Sequence, residues 1–293
     1  MKRSALFASF FLILASVRSP ALAREKAWWE PEVEYNFDIA SAYLSRAKVS
    51  EDRPIQMNEL AVDWDVARFV GGLAKTDLPD LGRLGFWYWN YSSLSGRCQD
   101  KHRRFVPEQD WAITYDYDWK FSDRWSLDTE LMAEWQTFHG EKPSDSPFSF
   151  EWRIKQQLKN PYVTPYYKGR FTMRPLVYNY WQIGLKKKIT DKTTGCGWLP
   201  EKLSITPNVA CDLCDRAGVR KRFGARPAGE SDYSAGFLSV IGELTVEYRF
   251  TDWFAVHATV GQFGIVNRKG RDNISSPNHA DLTYWQTGFT LFF

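Results

Sequence analysis

The chain of 293 residues carries 38 Lys and Arg against 35 Asp and Glu, and because its first 23 residues hold Lys2, Arg3, Arg18 and no acid, the remainder is neutral. A neutral chain gives no electrostatic case for a nucleic-acid partner. Aromatic residues make up 16%, with 14 Trp and 14 Tyr, the side chains best suited to a boundary between grease and water; after the N-terminal segment no apolar run reaches the ~20 residues a spanning helix needs.

The chain opens on "MKRSALFASFFLILASVRSPALA", in which Lys2 and Arg3 precede an apolar run closed by Arg18 and Pro20, and Ala21-Leu22-Ala23 precede Arg24. This pattern predicts a cleaved secretory signal peptide over 1–23, leaving 24–293 as one domain. From there a period of two recurs. "VEYNFDIASAY" sets Val33, Tyr35, Phe37, Ile39 and Tyr43 against Glu34, Asn36, Asp38 and Ala40, and "LAVDWDV" sets Leu60, Val62, Trp64 and Val66 against Asp63 and Asp65. "FWYWNY" is aromatic on both faces, so its orientation is open. "WAITYDYDWKF" alternates Trp111, Ile113, Tyr115, Tyr117, Trp119 and Phe121 with Ala112, Thr114, Asp116, Asp118 and Lys120. After "SDR", "WSLDTELMAEW" places Trp125, Leu127, Leu131 and Trp135 opposite Asp128, Glu130 and Glu134.

The second half continues the pattern. "FSFEWRIKQQL" sets Phe148, Phe150, Trp152, Ile154 and Leu158 against Glu151, Arg153 and Lys155, and "YVTPYYKGRF" carries Lys168 and Arg170 on its polar side, with Pro165 as a missing ladder donor. "VYNYWQIGLKKKI" has Val177, Trp181, Ile183, Leu185 and Ile189 on one face and Lys186 and Lys188 on the other; "LSITPNV" is short and contains Pro207. "LSVIGELTVEYRF", "WFAVHATVGQF" and the closing "ADLTYWQTGFTLFF" complete the set. The expectation is an all-β protein, a closed antiparallel transmembrane β-barrel of about twelve strands, with ten to fourteen as the range. A soluble β-sandwich would also alternate, with Val, Ile and Leu dominating its apolar face; here that face is rich in Trp, Tyr and Phe. The tail reads as the closing strand, with Phe289, Leu291 and Phe293 as a signal to the outer-membrane assembly machinery.

"DIASAYLSRAKVSEDRPIQ" (38–56), with "EQDWAITYDYDW", "FSFEWRIKQQL" and "YNYWQIGLKKKI" in the same order and spacing, resembles the TorF-like porin family. The resemblance implies a bacterial outer-membrane barrel with a pore role and supplies no catalytic residues.

The polar faces suggest what the lumen would do. Glu34, Asp38, Asp63, Asp65, Asp116, Asp118, Asp128, Glu130 and Glu134 make an acidic arc, followed by a basic arc of Arg153, Lys155, Lys168, Arg170, Lys186 and Lys188. In a closed ring the two arcs largely face one another, setting a transverse field for small polar or charged solutes, unless the charges pair and plug the lumen. Adhesion through external loops such as "DLCDRAGVRKRFGARPAGESDYSAG" (212–236) is the alternative. A phospholipase-like enzyme is the third reading, for which only His257 and Thr259 offer a pair two residues apart, without a serine. Of four cysteines, Cys211 and Cys214 are placed to close a small external loop by disulfide bonding, while Cys98 and Cys196 fall on opposite sides of the membrane. "KHRRF" (101–105) is a solvated run with the chemistry to meet lipopolysaccharide phosphates. No cofactor or metal motif is present, and the partners expected are membrane lipid and lipopolysaccharide, the assembly machinery and small solutes.

Overall fold

The computed structural model describes residues 27–45, 49–94, 108–138, 148–174, 176–194, 199–224, 229–272 and 280–293. The expected signal peptide, Cys98, Cys196 and the 101–105 run lie outside them. The strands are β1 (Glu32–Ala40), β2 (Tyr43–Leu44), β3 (Val49–Glu51), β4 (Ile55–Asp65), β5 (Arg83–Ser93), β6 (Glu108–Ser122), β7 (Trp125–Phe138), β8 (Phe148–Lys159), β9 (Thr164–Arg174), β10 (Tyr178–Lys186), β11 (Leu203–Cys214), β12 (Gly236–Thr251), β13 (Phe254–Ile265) and β14 (Asp281–Phe292). Four helices join them: α1 (Val66–Ala74), α2 (Asp191–Thr194), α3 (Arg216–Phe223) and α4 (Arg268–Asp272).

All strands except β2 and β3 form one closed antiparallel barrel of twelve, each paired with its chain neighbour, β4 following β1 and β14 returning to β1. The closing seam runs from Glu34 opposite Phe292 to Ala40 opposite Gln286. Phe293 extends it, donating its N–H to the Val33 carbonyl (2.9 Å) and accepting from the Val33 N–H (3.1 Å). A closed ring leaves no edge, so every strand has partners on both sides.

Alternation decides the faces. On β6, Ile113, Trp119 and Phe121 are exposed outward while Asp110, Ala112 and Thr114 are buried inward. The register carries that assignment to β5, where Phe86 and Tyr88 pair with Ile113 and Trp111. The orientation left open by the sequence is thereby settled: Phe86, Tyr88 and Asn90 point out, and Trp87, Trp89 and Tyr91 point in. The inward aromatic rings pack at a tilt, with Trp89 and Tyr91 centroids 5.7 Å apart.

Several boundaries differ from expectation for local reasons. β1 ends at Ala40, and Tyr43 belongs to the β2–β3 ribbon. β4 begins at Ile55, because Gln56 and Asn58 disguise its outer half as loop. β11 runs on to Cys214. Pro207 stands just past the last β10–β11 ladder pair, Lys186 with Asn208, where it gives no N–H but its carbonyl still accepts from the Lys187 N–H at 3.2 Å. Pro165 similarly lies just past the last β8–β9 pair, Gln157 with Tyr166.

Two inward glycines let tyrosine rings lie flat on the wall. A Cβ at Gly184 would meet Tyr166 Cζ at 2.4 Å, and one at Gly261 would meet Tyr284 Cζ at 2.4 Å. Gly261→Leu therefore displaces Tyr284, and urea unfolding of the lipid-refolded protein should show a loss of about 1–3 kcal/mol.

Candidate functional site

The inner wall is the candidate site, since it gathers the polar sets of all twelve strands around one space. Contacts that skip strands identify it as the inside. His257 of β13 reaches Asp38 of β1 (Nε2 to Oδ1, 2.6 Å) past β14. Tyr284 of β14 donates to Glu243 of β12 past β13. The Arg153 guanidinium of β8 lies 5.6 Å from the Trp87 ring of β5.

Glu34, Asp38, Asp63, Asp116, Asp118, Asp128, Glu130 and Glu134 share the inward face, as do Arg153, Lys155, Lys168, Arg170 and Lys186. Two expected lining residues sit at the inner rim instead. Asp65 caps α1, its Oδ1 accepting from the Arg68 N–H at 2.9 Å. Lys188 lies beyond the end of β10 and pairs with Glu247 at 3.1 Å.

The arcs relate differently from a simple opposition. β1 and β4 do stand across the ring from β9 and β10, but β7 lies directly against β8. Along that seam opposite charges neutralise one another. Arg153 forms an ion pair with Glu134 and sits 4.0 Å from Glu151. Lys155 Nζ is 2.6 Å from Glu130, and Lys159 Nζ is 3.4 Å from Asp128 and 3.9 Å from Asp118. Trp87 ties the seam to β4, its Nε1 donating to Glu59 Oε1 at 2.6 Å.

Past the seam, like charges stand opposite each other: Arg153 faces Arg170 and Lys155 faces Lys168 across the β8–β9 ladder. Arg170 is 3.8 Å from Glu151. Lys168 and Lys186 make no ion pair among the described residues; their ammonium groups lie 5.3 and 5.8 Å from the Tyr166 ring. Glu34 and Asp63 across the lumen, and Asp116 three strands from Lys168, likewise make none among the described residues. Like charges directly opposite are unfavourable, so their persistence here is a functional clue.

Sequence reading missed a second acidic group beyond the basic strands. Asp212 accepts from Tyr180, from Gln182 Nε2 (3.0 Å) and from Ser239. Glu243 accepts from Asn208 Nδ2 at 2.8 Å. Asp212 lies in the part of β11 beyond "LSITPNV", and Glu243 lies on the inward face of β12. The buried Glu108 and Asp110 at the start of β6 were also overlooked. Thr259 is bonded to Thr245 (2.8 Å), and among the described residues no serine is hydrogen-bonded to His257.

The outer mouth is crossed by chain. Tyr43 of β2 packs on Trp89 and Tyr91 (5.3 and 4.7 Å between centroids). Leu44 and Val49 pack on the far side against a cluster that includes Tyr180, Phe263 and Tyr284. Val219 and Phe223 of α3 join the same cluster. The ribbon and helix thus bridge the opening and fill its β10–β14 side.

The disulfide expectation is corrected. Cys211 and Cys214 are not bonded to each other and belong to β11 rather than to a loop. Cys211 pairs with Ile183 on the outward face, whereas buried Cys214 donates to the Asn179 carbonyl at 2.9 Å; residues three apart on a strand point to opposite sides.

No family model matches the chain, the TorF-like family included, and no curated protein matches it. Solved structures do. An outer membrane channel from Pseudomonas putida F1 aligns over 94% of this chain and 100% of its own, at 8% identity and a TM-score of 0.48. The KdgM porin aligns over 89% and 99%, at 8% identity and 0.44. The outer membrane phospholipase A from Escherichia coli aligns over 90% and 92%, at 12% identity and 0.43. With scores below 0.5, these likenesses carry nothing about solute, chemistry or partner.

Removing the cation of the seam should be costly. Arg153→Met leaves Glu134, whose side chain is 0% exposed, without its counter-charge, an arrangement that costs about 3–5 kcal/mol. Urea unfolding in lipid should register that loss, and adding Glu134→Gln should restore much of it.

Proposed function

We propose that the chain is a bacterial outer-membrane barrel whose lumen admits small polar or charged solutes, steered by a transverse field. The observation that carries this reading is the two sets of charges without an ion pair on opposing walls: Lys168 and Lys186 on one side, Glu34 and Asp63 on the other. A passive scaffold gains nothing from like charges left opposite each other, whereas rings and tracts of charge set selectivity in pores. The outward Trp, Tyr and Phe, together with a polar interior, support placement in a bilayer. Phe289, Leu291 and Phe293 share the outward face of the closing strand, with Phe289 stacked on Phe37 at 5.2 Å, and on this reading present the signal met by the assembly machinery. Lipid covers the outer wall, and lipopolysaccharide surrounds the loops.

A second reading, a non-conducting barrel that acts through its outer surface, is favoured by one observation, the ribbon and α3 lying across the mouth. Conductance separates the two. In planar bilayers the refolded protein should pass ion current, and absence of current after verified insertion would reject the pore.

Reversal potentials under a salt gradient test the field itself. A unit charge ~10 Å from a passing ion in water is worth ~0.4 kcal/mol, about a factor of two in permeability. Lys168→Glu with Lys186→Glu should therefore shift selectivity towards cations by at least about twofold per site, while Asp63→Asn with Asp116→Asn should shift it towards anions.

Deleting 43–51 should raise single-channel conductance without altering the sign of selectivity, because the ribbon obstructs the mouth while the unpaired charges lie on the wall strands. Unchanged conductance would place the limiting constriction elsewhere.

A further inference from the structure

The outward wall is not uniformly apolar. On β4 and β5, Asn58 and Asn90 stand directly opposite each other and point away from the lumen, on the same face as Leu60, Val62, Phe86 and Tyr88. They are linked in a chain. The Tyr35 hydroxyl donates to Asn58 Oδ1 (2.9 Å), Asn58 Nδ2 donates to Asn90 Oδ1 (3.1 Å), and Asn90 Nδ2 donates to the Tyr88 hydroxyl (2.9 Å). Gln56 adds a longer contact to Asn58 at 3.4 Å.

The register sets their depth. One row of paired residues runs outward-facing from Phe148, at the outer end of β8, through Thr137, Gln109, Asn90, Asn58, Phe37, Phe289, Val256 and Tyr248 to Leu203, at the inner end of β11. Because strands tilt, such a row descends across the wall, and the two asparagines fall near its middle. Along their own strands both lie three residues in from the outer ends, Ile55 and Ser93, or about 8 Å of vertical depth at the usual tilt.

Amide groups at that level face hydrocarbon with hydrogen-bonding capacity to spare. Asn90 and Asn58 each use one of two amide protons in the chain, and the Tyr88 hydroxyl proton is uncommitted. In lipid, unused polar capacity is costly and side-chain hydrogen bonds between spanning segments are favourable.

We infer that the Tyr35–Asn58–Asn90–Tyr88 patch is the contact surface for a second copy of this chain, the two copies meeting across a two-fold axis along the membrane normal. The patch carries no charge, so it offers lipid phosphate no ion pair. It lies below the outer ends of its strands, beyond the reach of a soluble partner. Each amide both donates and accepts, so the surface is complementary to itself, as a two-fold contact requires. The flanking Phe37, Tyr88 and Trp111 supply flat rings for the rest of the contact.

The inference rests on the membrane-spanning reading but not on conductance. The test uses the refolded chain in lipid vesicles over a dilution series, with insertion verified first by protection of the strands from added protease; failure there rejects the membrane reading and with it the dimer. Given insertion, energy transfer between labelled copies should report a dimer, and Asn58→Leu with Asn90→Leu should weaken it about tenfold (~1.4 kcal/mol). A monomer at every dilution, or a dimer indifferent to the double substitution, overturns the proposal. Both replacements are apolar and face lipid, so folding should be retained. A second measurement stands apart from them: a photo-reactive amino acid replacing Asn58 should cross-link copies, whereas the same group replacing outward Ile183 on β10, across the ring, should not. Equal cross-linking at the two positions also overturns the proposal.

Discussion

On the proposed membrane reading, a wall that faces hydrocarbon has no water to satisfy a bare backbone, and this one constraint organises the molecule. Each strand must be paired on both sides, so the sheet has to return upon itself. The return depends on β14 meeting β1 in register, down to the reciprocal bonds between Phe293 and Val33. Once the ring closes, alternation along each strand sorts side chains into two populations, a mainly apolar one outside and one holding the charges inside.

The interior then faces a different problem, that of holding many charges in a confined space. It is solved in two ways. At the β7–β8 seam acids and bases interlock, with Arg153 held between Glu134, Glu151 and the Trp87 ring. Further round the ring, acids are satisfied by neutral donors instead: Asp212 by Tyr180, Gln182 and Ser239, and Glu243 by Tyr284 and Asn208. The lysines of β9 and β10 receive neither treatment. On the proposed reading they, and the acids opposite, are what a passing solute meets, beneath a mouth narrowed by the ribbon and α3.

How much of this was legible depended on whether a feature is local. "WAITYDYDWKF" declared β6 because its period is unbroken, and twelve such segments yielded the ring. β5 did not declare its orientation, since Trp87 and Tyr88 are both aromatic and only pairing with Ile113 and Trp111 distinguishes them. The outer half of β4 was hidden because Gln56 and Asn58 violate the pattern, and that same violation marks the outward polar patch. Acidic and basic faces could be counted along the chain, but the seam required register: Glu130 and Lys155 are far apart in sequence and directly opposite in the sheet. α3 was unreadable as a mouth element because its apolar contribution is Ala217, Val219 and Phe223 set among basic residues. Cys211 and Cys214 looked like a loop pair because β11 was drawn too short.

The central claim is that lipid lies against the outward rings and water against the inward charges. Tryptophan fluorescence of the refolded protein tests it most directly, using vesicles with bromine on the acyl chains and, separately, aqueous iodide. Outward tryptophans such as Trp111, Trp119, Trp152 and Trp285 should make most of the emission sensitive to the brominated chains and largely indifferent to iodide. Emission untouched by the acyl-chain bromine and quenched throughout by iodide would contradict the account.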